Sequence, residues 1–293
     1  MEKTITRRDF MRGTMALALG IVAGFPDQTA QKQKTVRVVL IRNERVWIDE
    51  TKLNPEIVQQ MLDEGVMKLT GEPDPVDAFR RFVKPGDIVG IKTNVWQMLP
   101  TPPELERAIQ RRVLDAGVSK NNVAIEDRGL LSNELFMKAT ALINVRPMRT
   151  HYWAGVGGCL KNLITFTATP SAYHEDNCAD IGAFWKLPVI AGKVRLNILS
   201  MLNPLFHGRG PHHFDQRYVW NYNGILVGTD PVAVDAVGLS IIKAKRLQFF
   251  GAERALQTPP KHITMADVRH GLGTSDLTKI DLIKLGWTKD ILV

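Results

Sequence analysis

The apolar residues of this chain alternate between short runs typical of strands and longer segments with helical spacing. β-Branched residues are concentrated in TVRVVLI (35–41), DIVGIKTNV (87–95) and NNVAIED (121–127), as in strands that are buried on both faces. Between them, PEIVQQMLDEGVMKL (55–69) and PPELERAIQRRVLDAG (102–117) have a helical pattern. This order predicts an α/β fold with a doubly wound, mostly parallel sheet and crossover helices.

The second half of the chain has a looser pattern, with fewer regular segments and more loops. Proline, glycine and short polar residues indicate a loop and then a short helix at 169–188, and a loop at 204–216. We predict further strands at 140–147, 194–202 and 279–285, a strand followed by a long helix within 223–246, and helices at 251–257 and 264–270.

Several predicted helix ends carry residues that favour caps. Thr101 precedes Pro102 and Pro103, so it is the expected N-cap of the helix that Gly117 ends. Asp230 precedes a proline and is the expected cap of the long helix near 240. Within that helix, Asp235 interrupts an apolar face. An unpaired buried carboxylate is costly, so Asp235 either accepts hydrogen bonds from the backbone or a lysine, or faces water.

The first thirty residues have the character of an export signal. TRRDFMR (6–12) runs into the apolar segment GTMALALGIVAGF (13–25), which is about half as long as a membrane span requires. The paired arginines resemble the twin-arginine signal. This resemblance implies that the folded protein is exported by the twin-arginine machinery to the periplasm or the exterior, with a membrane anchor if the signal is retained. We therefore divide the chain into a signal peptide (1–30) and a single α/β domain (31–293), with a subdivision near 150 as an alternative.

Composition and charge narrow the classes of partner. The chain has 293 residues, of which 44% are hydrophobic and 23% charged, which is typical of a soluble globular protein. The formal net charge is +8, but the basic residues are scattered rather than clustered with aromatic residues. This excludes a typical nucleic-acid surface and favours an anionic small molecule or cofactor as the ligand. The pattern leaves the oligomeric state open.

Two cysteines, Cys159 and Cys178, are the only ones in the chain. They exclude a four-cysteine zinc or iron–sulfur site within one chain. In an exported protein they either form a disulfide or serve as small apolar residues of the core.

The stretch HYWAGVGGCLKNLI (151–164) has the most unusual composition in the chain. Gly155, Gly157 and Gly158 allow backbone N–H groups to approach a ligand closely, and the helix that we expect to begin after them directs its positive end to the same place. The segment therefore predicts an anion site. The alternative is a tight structural turn with a surface lysine.

Polar residues in and around this stretch are the candidate catalytic and cofactor-binding groups. Lys161 adds an ammonium or, if desolvated, an amine able to attack a carbonyl or thioacid. His151 ends the preceding strand and is a candidate for proton transfer. Ligands of open α/β sheets bind outside the carboxyl ends of the strands. We therefore expect the cleft to include His151, Lys161 and Asn162 together with Lys92, Asn94 and Asp127.

The segment HEDNCAD (174–180) contains several metal-binding residue types. His174 and Cys178 share a face if the segment is helical, with Asp176 between them. These three residues are the predicted metal ligands. The alternative is a solvated acidic turn in which Asp176 caps a helix.

A family resemblance covers most of the chain. HYWAGVGGCLKNL, VGIKTN (89–94), LINV (142–145) and GTDPVAVDAVG (228–238) occur in the order expected for the family catalogued as domain of unknown function 362. The chain resembles that family over roughly residues 36–275. The resemblance supports the α/β fold but implies no particular reaction.

A shorter segment is similar to an enzyme motif. HYWAGVGGCLK (151–161) resembles the motif of the nickel-pincer lactate racemases. The resemblance implies that His151 transfers protons, that Lys161 carries a pyridinium-derived mononucleotide, and that His174 stands in for a nickel ligand. Leu160 replaces an arginine of that motif, and Glu126, Asp127 and Arg128 lie where the racemases have a second catalytic histidine. Two-base racemisation is therefore not expected.

Together, these features predict an exported cofactor- or metal-dependent enzyme of the oxidoreductase or isomerase type. It would transfer a proton or hydride on a small organic substrate, and the cofactor would be either a metal ion or a lysine-linked nickel-pincer-like nucleotide at the turn between His151 and Lys161. The alternative is a non-catalytic periplasmic protein that binds or delivers a cofactor or metal.

Overall fold

A mixed β-sheet forms the centre of the protein. The computed structural model describes residues 35–293, and the predicted signal peptide (1–30) lies outside them. Thr35–Val293 form one compact unit. The strands are β1 (Val36–Arg42), β2 (Val89–Lys92), β3 (Val123–Glu126), β4 (Ala141–His151), β5 (Gly155–Gly157), β6 (Val194–Leu205), β7 (Gly224–Gly228) and β8 (Ile280–Gly286).

The sheet is open, and most of its strands run in one direction. Its order is β3-β2-β4-β6-β7-β1-β8, and β5 pairs with β4. The pairs β2/β3, β2/β4, β4/β6 and β1/β8 are parallel, whereas β7 is antiparallel to both of its neighbours. The predicted α/β class with a mostly parallel sheet is therefore confirmed, with β7 as an antiparallel insertion.

Helices cover both faces of the sheet. Alternate residues of β1 point to opposite sides, so that Val38 and Leu40 belong to one apolar core and Val39 and Ile41 to the other. The helices are α1 (Pro55–Thr70), α2 (Pro75–Arg80), α3 (Pro103–Asp115), α4 (Glu134–Lys138), α5 (Cys159–Asn162), α6 (Glu175–Cys178), α7 (Pro231–Phe250) and α8 (Lys261–Val268). Helices α1, α2 and α3 cover one core, and α4, α5, α7 and α8 cover the other.

Two local predictions were wrong. The segment 251–257 is not a helix, because Gly251 adopts a left-handed conformation (φ 68°) that ends α7, and its N–H donates to the carbonyl of Leu247. Thr101 does not cap α3, whose N-cap is Pro102 without a side-chain hydrogen bond. The Thr101 hydroxyl instead accepts from the backbone N–H of Asn94, 3.1 Å away. Asp230 caps α7 as predicted, accepting from Val232 and Ala233.

The carboxyl ends of β2, β3 and β4 meet at one edge of the sheet. β2 ends at Lys92, Asp127 follows β3, and β4 continues to His151. The pairing of β4 with β6 shifts register between Pro147 and Arg149, and such an irregularity redirects side chains that a regular strand would place on opposite faces. Among the described residues, no helix is both long and apolar enough to cross a membrane.

Candidate active site

A cleft of about 280 Å³ lies at this edge of the sheet. Its lining includes six residues predicted from the sequence, namely Asn94, Asp127, His151, Lys161, Asn162 and His174. It also includes Arg128, Arg146 and Arg149, to which the sequence assigned no role. Larger surface grooves exist, such as the one beside Arg37, Glu64 and Lys68, but their charged side chains are not buried. We therefore regard the cleft as the candidate site.

The predicted residue Lys92 lies beneath the cleft. Its side chain is fully buried, and its ammonium is 2.5 Å from the carboxylate of Asp127. Asp127 also accepts from the backbone N–H of Val95 at 3.0 Å. Burial opposes ionisation of Asp127, but the charge and hydrogen bond of Lys92 outweigh it and lower the pKa of the carboxyl group. This ion pair joins the ends of β2 and β3. Among the described residues, Asp127 is the only acidic residue in the lining of the cleft, and Lys92 neutralises its charge.

Buried amide side chains fix the turn that carries Lys161. The Asn162 Nδ2 group donates to the carbonyls of Lys92 and Val145 and to Asn144 Oδ1, over 2.9–3.2 Å. Asn144 donates in turn to Asn197 Oδ1 at 3.0 Å. Asn162 was predicted to hold a cofactor. In the structure its donors are occupied by internal partners, so that it links β2, β4 and α5 at the wall of the cleft.

The anion site predicted at the start of α5 is occupied by a side chain of the protein. The backbone N–H groups of Cys159 and Leu160 donate to the two carboxylate oxygens of Asp235, at 2.6 and 2.9 Å. Asp235 comes from α7 and is fully buried. Burial raises its pKa to about 7, although the hydrogen bonds from Leu160 and Cys159 oppose the rise. Of the alternatives for Asp235, acceptance from the backbone is the one observed.

The three predicted cofactor-binding glycines face protein groups rather than an open ligand site. A Cβ atom at Gly158 would lie 2.2 Å from a carboxylate oxygen of Asp235, and one at Gly157 would lie 2.7 Å from the guanidinium of Arg146. Gly155 has a φ of 73°, and a Cβ there would meet the carbonyl of Thr258 at 2.3 Å. The glycines are therefore needed for close internal packing of the turn, and a role of their backbone in cofactor binding stays a prediction.

Arg146 and Arg149 bring two positive charges into the cleft without acidic partners. They are 3% and 4% exposed, and neither has a carboxylate within 4.0 Å among the described residues. Arg149 donates to Asn94 Oδ1 at 2.9 Å and lies 4.6 Å from the ring centroid of Trp96, while its buried Nε atom has no partner within the described part of the chain. Buried guanidinium groups are normally paired. Here the carboxylates of Asp235 and Asp127 act on Arg146 only from beyond 4.0 Å.

Lys161 lies beside these arginines and is 5% exposed. Its Nζ atom is 3.1 Å from His174 Nε2 and 3.9 Å from Cys178 Sγ. Burial lowers the pKa of Lys161 to about 8, and the positive charge of Arg146 contributes to the decrease. Burial and Lys161 together lower the pKa of His174 to about 4, so its ring is neutral and can accept from the lysine.

His151 lines the same cleft and is also neutral. Burial, followed by the positive charges of Lys161 and Arg146, lowers its pKa far below the ordinary value. The backbone N–H of Trp153 donates to His151 Nδ1 over 3.2 Å. Because Nδ1 accepts this bond, the proton of the neutral ring lies on Nε2. His151 can therefore donate a hydrogen bond from Nε2 to a bound ligand.

The three predicted metal ligands do not converge. Asp176, Asn177 and Cys178 have left-handed φ values of 44°, 59° and 62°, so the segment is not the regular helix that would place His174 and Cys178 on one face. Asp176 points away from the cleft and pairs with Lys261 at 2.5 Å. Within residues 35–293, no group of three His, Cys, Asp or Glu side chains is placed to hold a metal ion. The metal-ligand prediction is corrected accordingly.

Cys159 and Cys178 are both buried and free. Burial raises the pKa of each thiol. Of the two alternatives from the sequence, that of small core residues is the one found, since both thiols belong to the larger apolar core.

Some site residues had a sequence signal that was overlooked. Arg146 and Arg149 interrupt an otherwise apolar buried strand, and a charge in such a strand is unusual enough to indicate a function. His262 on α8 is fully buried near Lys161, and in the described part of the chain neither of its ring nitrogens has a hydrogen bond that meets normal geometry. No local pattern distinguishes His262 from a core residue.

The fold and the cleft together define an α/β protein with a cationic site at the carboxyl edge of its sheet. Residues 118–240 match the family model for the Domain of unknown function (DUF362). The match runs from β3 into the first half of α7 and so includes Asp127, both arginines, the glycine turn and Asp235. No curated protein and no solved structure matches this chain.

Proposed function

We propose that the protein is an enzyme that binds a small organic acid through Arg146 and Arg149 and labilises a C–H bond next to the carbonyl group of that acid. His151 donates a hydrogen bond to the carbonyl oxygen, and Lys161 is the reactive amine. The observation that carries this proposal is the presence of two buried guanidinium groups without acidic partners in the same cleft as an amine of lowered pKa.

The charges of the cleft favour an anionic ligand of small size. Asp127 is neutralised by Lys92, so the positive charges of Arg128, Arg146 and Arg149 are not balanced by other lining residues. A volume of about 280 Å³ lies just below the usual range of pockets for drug-sized ligands, about 300–1,000 Å³. An acid of a few carbon atoms meets both conditions.

The neutral form of His151 suits it to stabilising negative charge. An imidazole with its proton on Nε2 polarises a carbonyl by hydrogen bonding and does not need to become a cation. Such a donor in a site shielded from water is effective because it needs little reorganisation as charge develops on oxygen. His151 therefore acts on the substrate oxygen, while Lys161 acts at carbon.

The nucleotide implied by the racemase-like motif does not fit this site well. The backbone amides that would hold its phosphate bind Asp235, and the volume of the cleft suits a smaller ligand. Among the described residues, no group of three ligands supports a resident metal ion. The proposal therefore uses only groups of the chain itself.

The first test measures binding. Titration with pyruvate, followed by isothermal calorimetry, should show saturable binding. Arg149→Met and Arg146→Met should each weaken it by about tenfold or more, because each removes charge-assisted hydrogen bonds. Arg111 is exposed on α3, so Arg111→Met is the matched control and should leave binding unchanged. Equal binding by all these proteins would contradict the proposed role of the arginines.

The second test measures chemistry without knowledge of the natural product. Exchange of the methyl protons of pyruvate in D₂O is followed by proton NMR. The protein should accelerate exchange, Lys161→Met should abolish the acceleration, and His151→Phe should reduce it by about a hundredfold while binding remains. Binding without any exchange would favour the non-catalytic alternative, a protein that binds or delivers an anionic ligand.

We further propose that residues 1–30 direct export of the folded protein through the twin-arginine machinery. Support comes from Arg7 and Arg8 before an apolar segment. In the full chain, replacement of both by lysine should retain the protein in the cytoplasm of a bacterial host, as measured by cell fractionation. Unchanged export would contradict this route.

A further inference from the structure

We propose that Lys161 is a nucleophile that forms an imine with the carbonyl carbon of a small oxo acid whose carboxylate is bound by Arg146 and Arg149. This inference rests on the proposed function and specifies both the substrate class and the bond that Lys161 makes. The substrate class is therefore oxo acids, rather than organic acids in general.

The surroundings of Lys161 leave its amine available. It lines the cleft, and its Nζ atom contacts His174 Nε2 and Cys178 Sγ. Neither of these neighbours is an anion. No carboxylate lies within 4.0 Å of Nζ among the described residues, in contrast to Lys92. A buried ammonium without an anion is unfavourable, so the site raises the fraction of the uncharged, nucleophilic amine above that of an exposed lysine.

The protonation equilibrium agrees with this geometry. Burial is the largest cause of the lowered pKa of Lys161, about 8, and Arg146 and Arg149 add to it. At neutral pH an amine with this pKa is free in roughly a tenth of molecules, which is on the order of a hundredfold more than for an ordinary lysine. The neighbouring arginines thus bind the substrate carboxylate and also keep the amine reactive.

The reaction balances without an oxidant or a cofactor. The lone pair of the amine forms a C–N bond to the carbonyl carbon, and the π electrons of the carbonyl pass to its oxygen, which receives a hydrogen bond from His151. The carbinolamine then loses water: the oxygen departs with the two hydrogens of the original amine, and a C=N bond remains. Protonation of this imine draws electrons from the adjacent C–H bond, which explains why exchange would accompany it.

Trapping with borohydride tests this inference. The full chain is incubated with pyruvate at neutral pH, reduced with sodium borohydride, digested and analysed by peptide mass spectrometry. Reduction converts an imine into a stable secondary amine on the lysine that formed it. We expect modification concentrated on Lys161, at a rate on the order of a hundredfold above that of exposed lysines.

Variants and alternative probes separate the steps. Lys161→Met should remove the adduct, whereas Lys186→Met, at an exposed lysine, should not change it. Lactate, which has no carbonyl group, should give no adduct. Acetone, which has a carbonyl but no carboxylate, should give at least about tenfold less adduct than pyruvate. In Arg149→Met, the yield of the pyruvate adduct should fall to the yield obtained with acetone. Circular dichroism of each variant verifies that it folds.

The outcomes distinguish this inference from the proposed function. Exchange of pyruvate protons that depends on Lys161 but leaves no adduct would overturn the imine and leave the proposed function standing. Adducts spread evenly over surface lysines would also overturn it. If pyruvate does not bind, its protons do not exchange and no adduct forms, both proposals are contradicted.

Discussion

Lys92 and Lys161 lie beside the same cleft, and both are buried, yet only Lys92 has an acidic partner. The Lys92 ammonium is 2.5 Å from the carboxylate of Asp127, whereas the nearest polar neighbours of Lys161 are His174 and Cys178. The comparison teaches that burial alone does not make a lysine reactive. Burial lowers the pKa of both amines to about 8. The difference is that Lys92 is paired with a carboxylate and lies outside the cleft, whereas Lys161 lines the cleft without such a partner.

The largest effect expected from this difference is on stability. Lys92→Met leaves the carboxylate of Asp127 buried with only the backbone N–H of Val95 as a partner, so the free energy of unfolding should fall by about 3–5 kcal/mol. Lys161→Met replaces an unpaired cation by an apolar side chain of similar length and should not lower the free energy of unfolding, because it removes the cost of burying the charge. Urea denaturation of both variants measures the difference.

A second substitution shows whether the loss at Lys92 comes from the broken ion pair. Adding Asp127→Asn to Lys92→Met removes the uncompensated charge and should restore part of the lost stability. If Lys161→Met costs as much as Lys92→Met, the two lysines are equivalent structural groups and the comparison fails.

The turn that holds Lys161 depends on Asp235, and this gives the next largest effect. Asp235→Ala leaves the N–H groups of Cys159 and Leu160 without acceptors in the core, so the free energy of unfolding should fall by about 2 kcal/mol. Borohydride trapping at Lys161 should fall as well, because α5 no longer holds the amine in place. Asp235→Asn keeps one acceptor and should have a smaller effect on both. Normal stability and trapping in Asp235→Ala would show that this carboxylate does not position the turn.

The strands and the edge at which the site lies were predictable from the sequence. Runs of β-branched residues located β1 to β4, and in a parallel sheet the strand ends must meet at one edge, which brought Asp127, His151 and Lys161 into one expected cleft. Local periodicity is sufficient for this step because both the strand pattern and the direction of the sheet are encoded in short segments.

The pairing of the turn with Asp235 and the role of the arginines were not predictable in the same way. Cys159 and Asp235 are separated by 76 positions, so no local pattern connects them. The backbone amides that were predicted to bind a ligand anion donate to this internal carboxylate instead. Arg146 and Arg149 are three residues apart in a strand, and a regular strand would place them on opposite faces. The register shift after Pro147 changes this, and such irregularities are not visible in a single sequence.

The pH dependence of stability sharpens the comparison. The folded-state pKa of Lys161, about 8, is below the ordinary value of 10.5, so its contribution to stability is present above pH 10.5 and is lost as pH falls through 8. Between these values the free energy of unfolding should rise with pH by up to about 1.4 kcal/mol per pH unit. Lys161→Met lacks this contribution, so its free energy of unfolding should rise less steeply between pH 8 and pH 10.5. Denaturation of both proteins at several pH values measures the difference. An identical dependence in both proteins would mean that the amine is not perturbed.

The smallest expected effect concerns Trp153, which stacks on His174, the neighbour of Lys161. Trp153 stacks on His174 with ring centroids 4.2 Å apart and an interplanar angle of 23°, and it is 39% exposed. Trp153→Leu should cost less than about 1 kcal/mol of stability. It should nevertheless admit water to the Lys161 amine and raise its pKa towards 10.5, because burial is the largest cause of the present decrease. The pH at which borohydride trapping of pyruvate reaches half its maximum should therefore move upward.

Tyr152 provides the matched control for this last prediction. It is equally exposed, and its ring contacts Trp153 and His212 but has no stacking contact with His174 among the described residues. Tyr152→Leu should therefore leave the trapping profile in place. If both substitutions shift the profile equally, access of water to the whole loop, rather than the stack on His174, governs the amine. If neither does, these two aromatic side chains do not control the burial of Lys161, and the difference from Lys92 depends only on the missing carboxylate.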